Sequence, residues 1–253
     1  MSTTVQLRDG RAFYVSAEDY LEWYLLFFGA YEPEITRLLA HLTTETSTVV
    51  DVGANIGVHS LTMSALASKG RVLAFEPHPT TVERLRANLT LNGATNVEAL
   101  PFAVLDHACV VELHDNTEKH RGMASLHPYE GWSKVTVEGT TLDAAIDAHR
   151  VGAVDVIKVD VEGYEAPVLA GGLATLARDK PAVIFEYVQW AWENCGYDLE
   201  STLRQLRDIG YDGFHLIERA GLVRLPEPFH GSGNILALGP GRGGASWSHR
   251  EER

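Results

Sequence analysis

Acids stand at the ends of four apolar runs in this sequence: Asp51, Glu76, Asp160 with Glu162, and Glu186. Each run reads as a buried strand, and in an open α/β sheet ligands sit outside the carboxyl ends of the strands. Carboxylates at that edge can hold an ammonium, accept ribose hydroxyls, take a proton from a hydroxyl, or bind a divalent ion. Within AVDVIKVDV, alternation puts Val156, Lys158 and Asp160 on one side and Ile157, Val159 and Val161 on the other. A lysine in so apolar a strand needs a partner, because an unpaired buried ammonium is costly, and Asp160 is its same-side neighbour.

The stretch that organises these acids is VVDVGANIGVHSL, Val49 to Leu61. A short apolar strand runs into helical spacing through Asp51, Gly53, Asn55 and Gly57. Glycine lets such a turn take positive φ or approach a ligand closely, and the first helical turn leaves N–H groups free. A dinucleotide site has G-x-G-x-x-G here, to bring backbone onto a pyrophosphate. This turn has an acid in place of the first glycine. It suits a ligand with a cationic amino-acid part and no phosphate, such as S-adenosylmethionine. Glu76 ends the next strand, RVLAFE, about 20 residues on, where a ribose-hydroxyl ligand is expected. The competing explanations are packing glycines and a helix-capping glutamate.

VVDVGANIGVHSL, FEPHPTTVERLRANLTLN and IKVDVEGYEAPVLAGG together resemble the FkbM family of S-adenosylmethionine-dependent methyltransferases. The resemblance spans roughly Tyr31 to Tyr187. It implies a class I methyltransferase fold: a Rossmann-like three-layer α/β sandwich on a mostly parallel seven-stranded sheet of order 3-2-1-4-5-7-6. It also implies, in most members, O-methylation of acceptors that include sugars and specialised metabolites. The cofactor set is then Asp51, Gly53, Asn55, Gly57 and His59 from the first stretch, and Glu76 and Pro77 from the second. Asp160 joins them at the end of the fourth strand. Tyr31 and Glu32, in GAYEP, match the segment preceding the family's first motif and join the set on that ground. Ala103 and Val104 offer an apolar adenine wall and Asp106 a polar contact, although family members often carry Ser-Asp where this chain has Leu105-Asp106-His107.

Asp160, Glu186 and Lys158 are the catalytic candidates. Asp160 and Glu186 are either a base or the ligands of an ion such as Mg²⁺, and Asp160 alternatively does no more than pair with Lys158. An N-methyltransferase of the same fold is the second reading and a non-catalytic cofactor-binding module the third.

The composition narrows the partners. A net charge of −13 and a pI near 5.2 argue against nucleic acid, whose phosphates demand Lys/Arg patches. No run of 18 apolar residues predicts a membrane span. MSTTVQLRDG has no signal-peptide pattern, and Cys109 and Cys195 stand in no motif. Both observations predict a cytoplasmic protein with reduced thiols; a small-molecule acceptor is what the resemblance implies, and oligomeric state is left open.

At 253 residues the chain has room for one α/β domain with additions. We expect an N-terminal hairpin and helix over residues 1–30, the methyltransferase domain over 31–238 and a disordered tail over 239–253. The helix, Ala17 to Ala30, either lies over the cofactor or is buried on the core. The third strand is expected over Val97 to Val104, a helix over Tyr164 to Leu176, closing strands over Tyr211 to Ile217 and Gly233 to Leu238, and a loop or hairpin between those two. His114 to Lys134 is a polar stretch expected to be a mobile acceptor loop. Its histidines, His114, His120 and His127, match no metal-ligand spacing.

Overall fold

The computed structural model describes residues 3–15, 20–115, 124–126 and 131–241. A hairpin of β1 (Thr3–Gln6) and β2 (Ala12–Val15) leads to helices α1 (Tyr20–Phe28) and α2 (Pro33–Leu42). Strands and helices then alternate: β3 (Thr48–Val52), α3 (Val58–Leu66), β4 (Arg71–Phe75), α4 (Pro79–Leu91) and β5 (Val97–Leu100). An all-strand insert follows, made of β6 (Ala103–Leu105), β7 (Cys109–Asp115), β8 (Ala124–Ser125) and β9 (Ser133–Thr141). Alternation resumes with α5 (Leu142–Ala148), β10 (Val156–Val159), α6 (Glu165–Ala170), α7 (Leu173–Asp179), β11 (Ala182–Val188), α8 (Gln189–Asn194) and α9 (Leu199–Asp208). The last strands are β12 (Gly213–Glu218), β13 (Gly221–Arg224) and β14 (Ser232–Leu238).

The main sheet has eight strands, in the order β13-β12-β14-β11-β10-β3-β4-β5. Five of them, β5, β4, β3, β10 and β11, run parallel, and β14, β12 and β13 close the sheet antiparallel. The sheet is therefore mixed, with one strand more than the expected seven. Counted along the chain its strands run 3-2-1-4-5-8-6-7, because β13 folds back on β12 as a hairpin before β14. Of the loop or hairpin expected between the closing strands, the hairpin is the one observed.

The strand expected over Val97 to Val104 is two strands in two sheets. β5 ends at Leu100, and β6 joins the insert, whose order is β6-β9-β7-β8. The helix expected over Tyr164 to Leu176 breaks at Gly171-Gly172 into α6 and α7.

Helices cover both faces of the main sheet, which is why β3, β4, β10 and β11 read as continuous apolar runs. Ile35, Leu38 and Leu39 of α2 and Met63 of α3 pack with Val49, Val156 and Ile184 on one face. Leu142 and Ile146 of α5, Val168 of α6, Leu176 of α7 and Leu203 of α9 pack with Val50, Val52, Ile157 and Val159 on the other. The hairpin is tied to α4 by two asparagines one turn apart. Asn88 Oδ1 accepts from Tyr14 N–H at 2.9 Å, and Asn92 Oδ1 accepts from Ala12 N–H at 2.8 Å. Among the described residues no helix is long and apolar enough to cross a membrane.

Candidate functional site

Register places the charges. Lys158 on β10 is the direct neighbour of Asp51 on β3. Both are almost fully buried in an otherwise apolar row, with Asp51 at 1% and Lys158 at 2% exposure. Two residues on from Lys158, on the same strand face, Asp160 Oδ2 accepts from its ammonium at 2.9 Å. Glu186 stands at the end of β11 opposite Asn234 of β14. The same face receives the starts of α2 and α3, where His59 Nε2 and Glu32 Oε2 are 2.8 Å apart. Asn234 Nδ2 donates to the other Glu32 oxygen at 3.5 Å.

These elements enclose a cavity of about 250 Å³ at the carboxyl ends of β3, β4, β10 and β11. Of the residues selected from the sequence, Tyr31, Asp51, Gly53, Asn55, His59, Glu76, Pro77, Ala103, Val104, Lys158, Asp160 and Glu186 line it. Three do not. Glu32 lies one layer back, holding His59. Gly57 caps α3 with φ 95°, and a Cβ there would come within 2.6 Å of Leu85. Asp106 is exposed, pairs with His107 Nδ1 at 2.7 Å, and lines an adjoining surface cleft with Cys109 and Tyr197, a cleft that shares Leu126 and Tyr164 with the cavity. The chain has already crossed into the insert sheet at β6, which carries Asp106 away from the cavity.

Glu162, Tyr164, Thr81, Phe102 and Leu113 line the cavity as well. Leu21 of α1 does too, so that helix both reaches the cavity and buries Leu25. Of the polar stretch His114 to Lys134, His114 is buried at the end of β7, Ala124–Ser125 form β8 and Ser133 and Lys134 open β9, whereas 116–123 and 127–130, with His120 and His127, lie outside the described residues. The greater part of the expected acceptor loop and residues 242–253 of the expected tail thus lie outside the described residues.

The cavity carries an excess of negative charge. Burial and the carboxylates of Asp160, Glu162, Glu165 and Glu32 push Glu186 up to about 9. Burial and Asp160 raise Glu162 to about 7, with Lys158 opposing. Glu76 also rises to about 7 by burial, although its oxygens accept the Asn55 and His78 N–H groups at 3.0 and 2.9 Å. Burial alone would lower the Lys158 ammonium, but Asp160, Asp51 and Glu32 raise it, so Lys158 is charged. Burial opposes the charge on Glu32 as well, yet the His59 hydrogen bond and Lys158 bring it down to about 2.

A pH dependence follows. Glu76, Glu162, Glu165 and Glu186 hold their protons more tightly folded than unfolded, so folding takes up protons. Stability of the ligand-free chain is expected to fall as pH rises from about 4.5, the unfolded value, towards about 9, the folded value of Glu186. Glu32 acts in the opposite sense, and its contribution is lost as pH falls from 4.5 towards 2. Thermal melts across this range check the slope; a midpoint that climbs between pH 5 and 8 contradicts it.

The donor set does not suit a metal ion. Asp160, Glu165 and Glu186 bring carboxylate oxygens within 4.8 Å of one another. Glu165, however, already accepts from Val161 and Gly163 N–H through Oε1 and from Trp192 Nε1 through Oε2. The Lys158 ammonium supplies positive charge beside Asp160. A cationic organic ligand fits better. Asp51 Oδ2 accepts from Ser60 at 2.5 Å, whereas its Oδ1 is buried with no hydrogen-bond partner among the described residues. A buried carboxylate oxygen left so is costly unless a ligand donor reaches it.

The family model for the methyltransferase FkbM domain matches residues 51–212. The chain belongs to the FkbM methyltransferase family. This FkbM chain is 32% identical over 150 residues to the hexuronic acid methyltransferase AglP of Haloferax volcanii, covering 55% of this chain and 56% of that protein. It is 24% identical over 177 residues to the 2-O-methyltransferase NoeI of Sinorhizobium fredii, covering 64% and 70%. The crystal structure of methyltransferase FkbM from Methylobacillus flagellatus superposes with a TM-score of 0.53 at 19% identity, over 86% of this chain and 53% of that one. The FkbM chain thus spans little more than half the length of the first relative and of that structure, and the structural likeness establishes a class I methyltransferase-like α/β fold.

Proposed function

We propose that this chain transfers a methyl group from S-adenosylmethionine to a hydroxyl of a small molecule, a sugar or a specialised metabolite. The observation that carries the reading is the cavity itself: five carboxyl groups, Asp51, Glu76, Asp160, Glu162 and Glu186, around one lysine. When bound, S-adenosylmethionine supplies a methyl on a sulfonium centre. Asp51 Oδ1 is the acceptor for its ammonium. Glu76 keeps lone pairs on both oxygens for the ribose hydroxyls, beyond the backbone N–H groups it holds. Tyr31, Asn55 and His59 complete the polar side, and Pro77, Phe102, Ala103, Val104 and Leu113 the apolar side that an adenine needs.

On the acceptor side, Lys158 fixes Asp160 through a 2.9 Å ion pair. Asp160 is the carboxylate we assign to the hydroxyl proton. Glu186, neutral at physiological pH, donates a hydrogen bond to the acceptor and does not act as the base. The same acid cluster disfavours an amine. It would hold an amine in its protonated form, which has no lone pair for a methyl group. The relatives named for hexuronic acid and 2-O-methylation support the choice of oxygen.

Release of S-adenosylhomocysteine in the presence of hexuronic acids and other polyhydroxyl acceptors tests the proposal. Turnover is expected with alcohols and is expected to persist in EDTA, because the positive charge comes from Lys158. Turnover restricted to amines, or abolished by EDTA and restored by Mg²⁺, would overturn it. Glu76→Ala is expected to weaken S-adenosylmethionine binding by about 1.5–3 kcal/mol, the scale for hydrogen bonds to a charged group. Calorimetry reads this, and undiminished affinity in a folded variant places the ribose elsewhere.

A further inference from the structure

Helix α1, YLEWYLLFF, presents an apolar face outward. Phe27 is 63% exposed, Phe28 56%, Trp23 39% and Leu26 38%. Packing does not require this face, because the helix is seated through Leu25, fully buried, and through Glu22, which is buried and paired with Arg84. An apolar patch of this kind on a soluble surface marks an interaction site. The patch is continuous with the cavity. The Trp23 ring lies 4.7 Å from Phe27 and 6.1 Å from Phe28, and Phe28 lies 4.5 Å from Tyr24. Tyr24 meets Tyr31 edge-on at 5.9 Å, and Tyr31 lines the cavity, as does Leu21 of the same helix. A path of rings therefore runs from the solvent-exposed end of α1 to the wall of the cavity.

The cavity's size bears on what uses that path. At about 250 Å³ it is smaller than the ~300–1,000 Å³ of typical small-molecule sites. The cofactor must share it with the acceptor's reacting hydroxyl, so the rest of any acceptor larger than a monosaccharide lies outside. Building on the proposed methyl transfer, we infer that the outer face of α1 is an acceptor subsite. It holds an apolar portion of an amphiphilic acceptor while a hydroxyl-bearing head reaches Asp160. Charge argues against an anionic membrane surface as the occupant. The helix carries no lysine or arginine, its one acid is buried, and the chain bears −13 overall, whereas binding to anionic lipid draws on clustered basic residues.

The test compares n-octyl β-D-glucuronide with methyl β-D-glucuronide, which share a head and differ in the chain. Each is titrated calorimetrically, below the micellar concentration, into the full chain holding S-adenosylhomocysteine. The octyl compound is expected to bind at least about tenfold more tightly, the scale of partly burying two aromatic rings. Phe27→Ser/Phe28→Ser is expected to remove that preference. Trp23→Ser, made separately, is expected to reduce it. Both variants change exposed positions, and an unchanged melting temperature verifies the fold. Equal binding of the two glucuronides to the wild type, absence of binding by either, or a preference that survives in the double variant would overturn the inference. So would a wild-type dimer in sedimentation that the double variant dissociates, because a second copy would then cover the face. A chain-length preference that depends on Phe27 and Phe28, with no methyl transferred to any alcohol, would instead leave the surface standing and defeat the proposed reaction.

Discussion

Asp160→Asn is expected to slow methyl transfer by ~10²–10⁴-fold, the usual cost of losing a general base, and to leave S-adenosylmethionine affinity much less affected. The substitution keeps the shape of the side chain and removes its charge. It also strips the nearest carboxylate from Lys158, whose ammonium is almost fully buried beside it. Single-turnover rates and calorimetry on the same preparation separate the two effects. Normal turnover would make Asp160 a structural partner of Lys158 and pass the base to Glu162. Glu162 faces the same cavity, and burial and Asp160 raise it to about 7.

The second large effect is in the backbone. Gly53 sits in the β3–α3 turn with φ 84°, and a Cβ there would lie 1.8 Å from the Asp160 carbonyl oxygen. Gly53→Ala therefore strains the turn and pushes it off the end of β10, where cofactor and acceptor residues meet. A loss of about 2–5 kcal/mol is expected, combining backbone strain with overpacking. Gly93 provides the control. It also has positive φ, 63°, but its Cβ would meet nothing within 4 Å. Gly93→Ala is expected to cost only the conformational penalty, about 1–2 kcal/mol. Urea midpoints for the two variants compare the terms, and equal losses would show that the approach to Asp160 carries no weight.

Residue type explains which parts of this site were legible in the sequence. Asp51 and Lys158 interrupt apolar runs and Glu76 ends one, and a charge in or at the end of a buried strand is conspicuous because it needs a reason to be there. Lys158 and Asp160 were paired correctly from strand alternation, and the 2.9 Å contact follows from that geometry. The Glu32–His59 pair was not visible as a pair: 27 residues separate the two, and the contact depends on how α2 and α3 start over the same face. Glu165 gave no signal either. Its hydrogen bond to Trp192 requires α8, a helix that only the packing reveals. The placing of Asp106 outside the cavity lining was not legible, because strand propensity runs on through Val97 to Leu105, while the chain changes sheets between Leu100 and Ala103. The extra strand β13 was legible only as one of two alternatives: four residues, Gly221 to Arg224, fit a loop as well as a hairpin until β12 supplies their partner.

Delivery of a methyl group to oxygen is the reaction proposed for this cavity. It is tested most directly by locating a transferred label. The chain is incubated with S-adenosylmethionine carrying a ¹³C methyl and an amino sugar that offers hydroxyls and an amine on one ring, and the product is read by carbon NMR. A single new signal from a methoxy carbon is expected, lost in Asp160→Asn. A signal from an N-methyl carbon on the same sugar would contradict it.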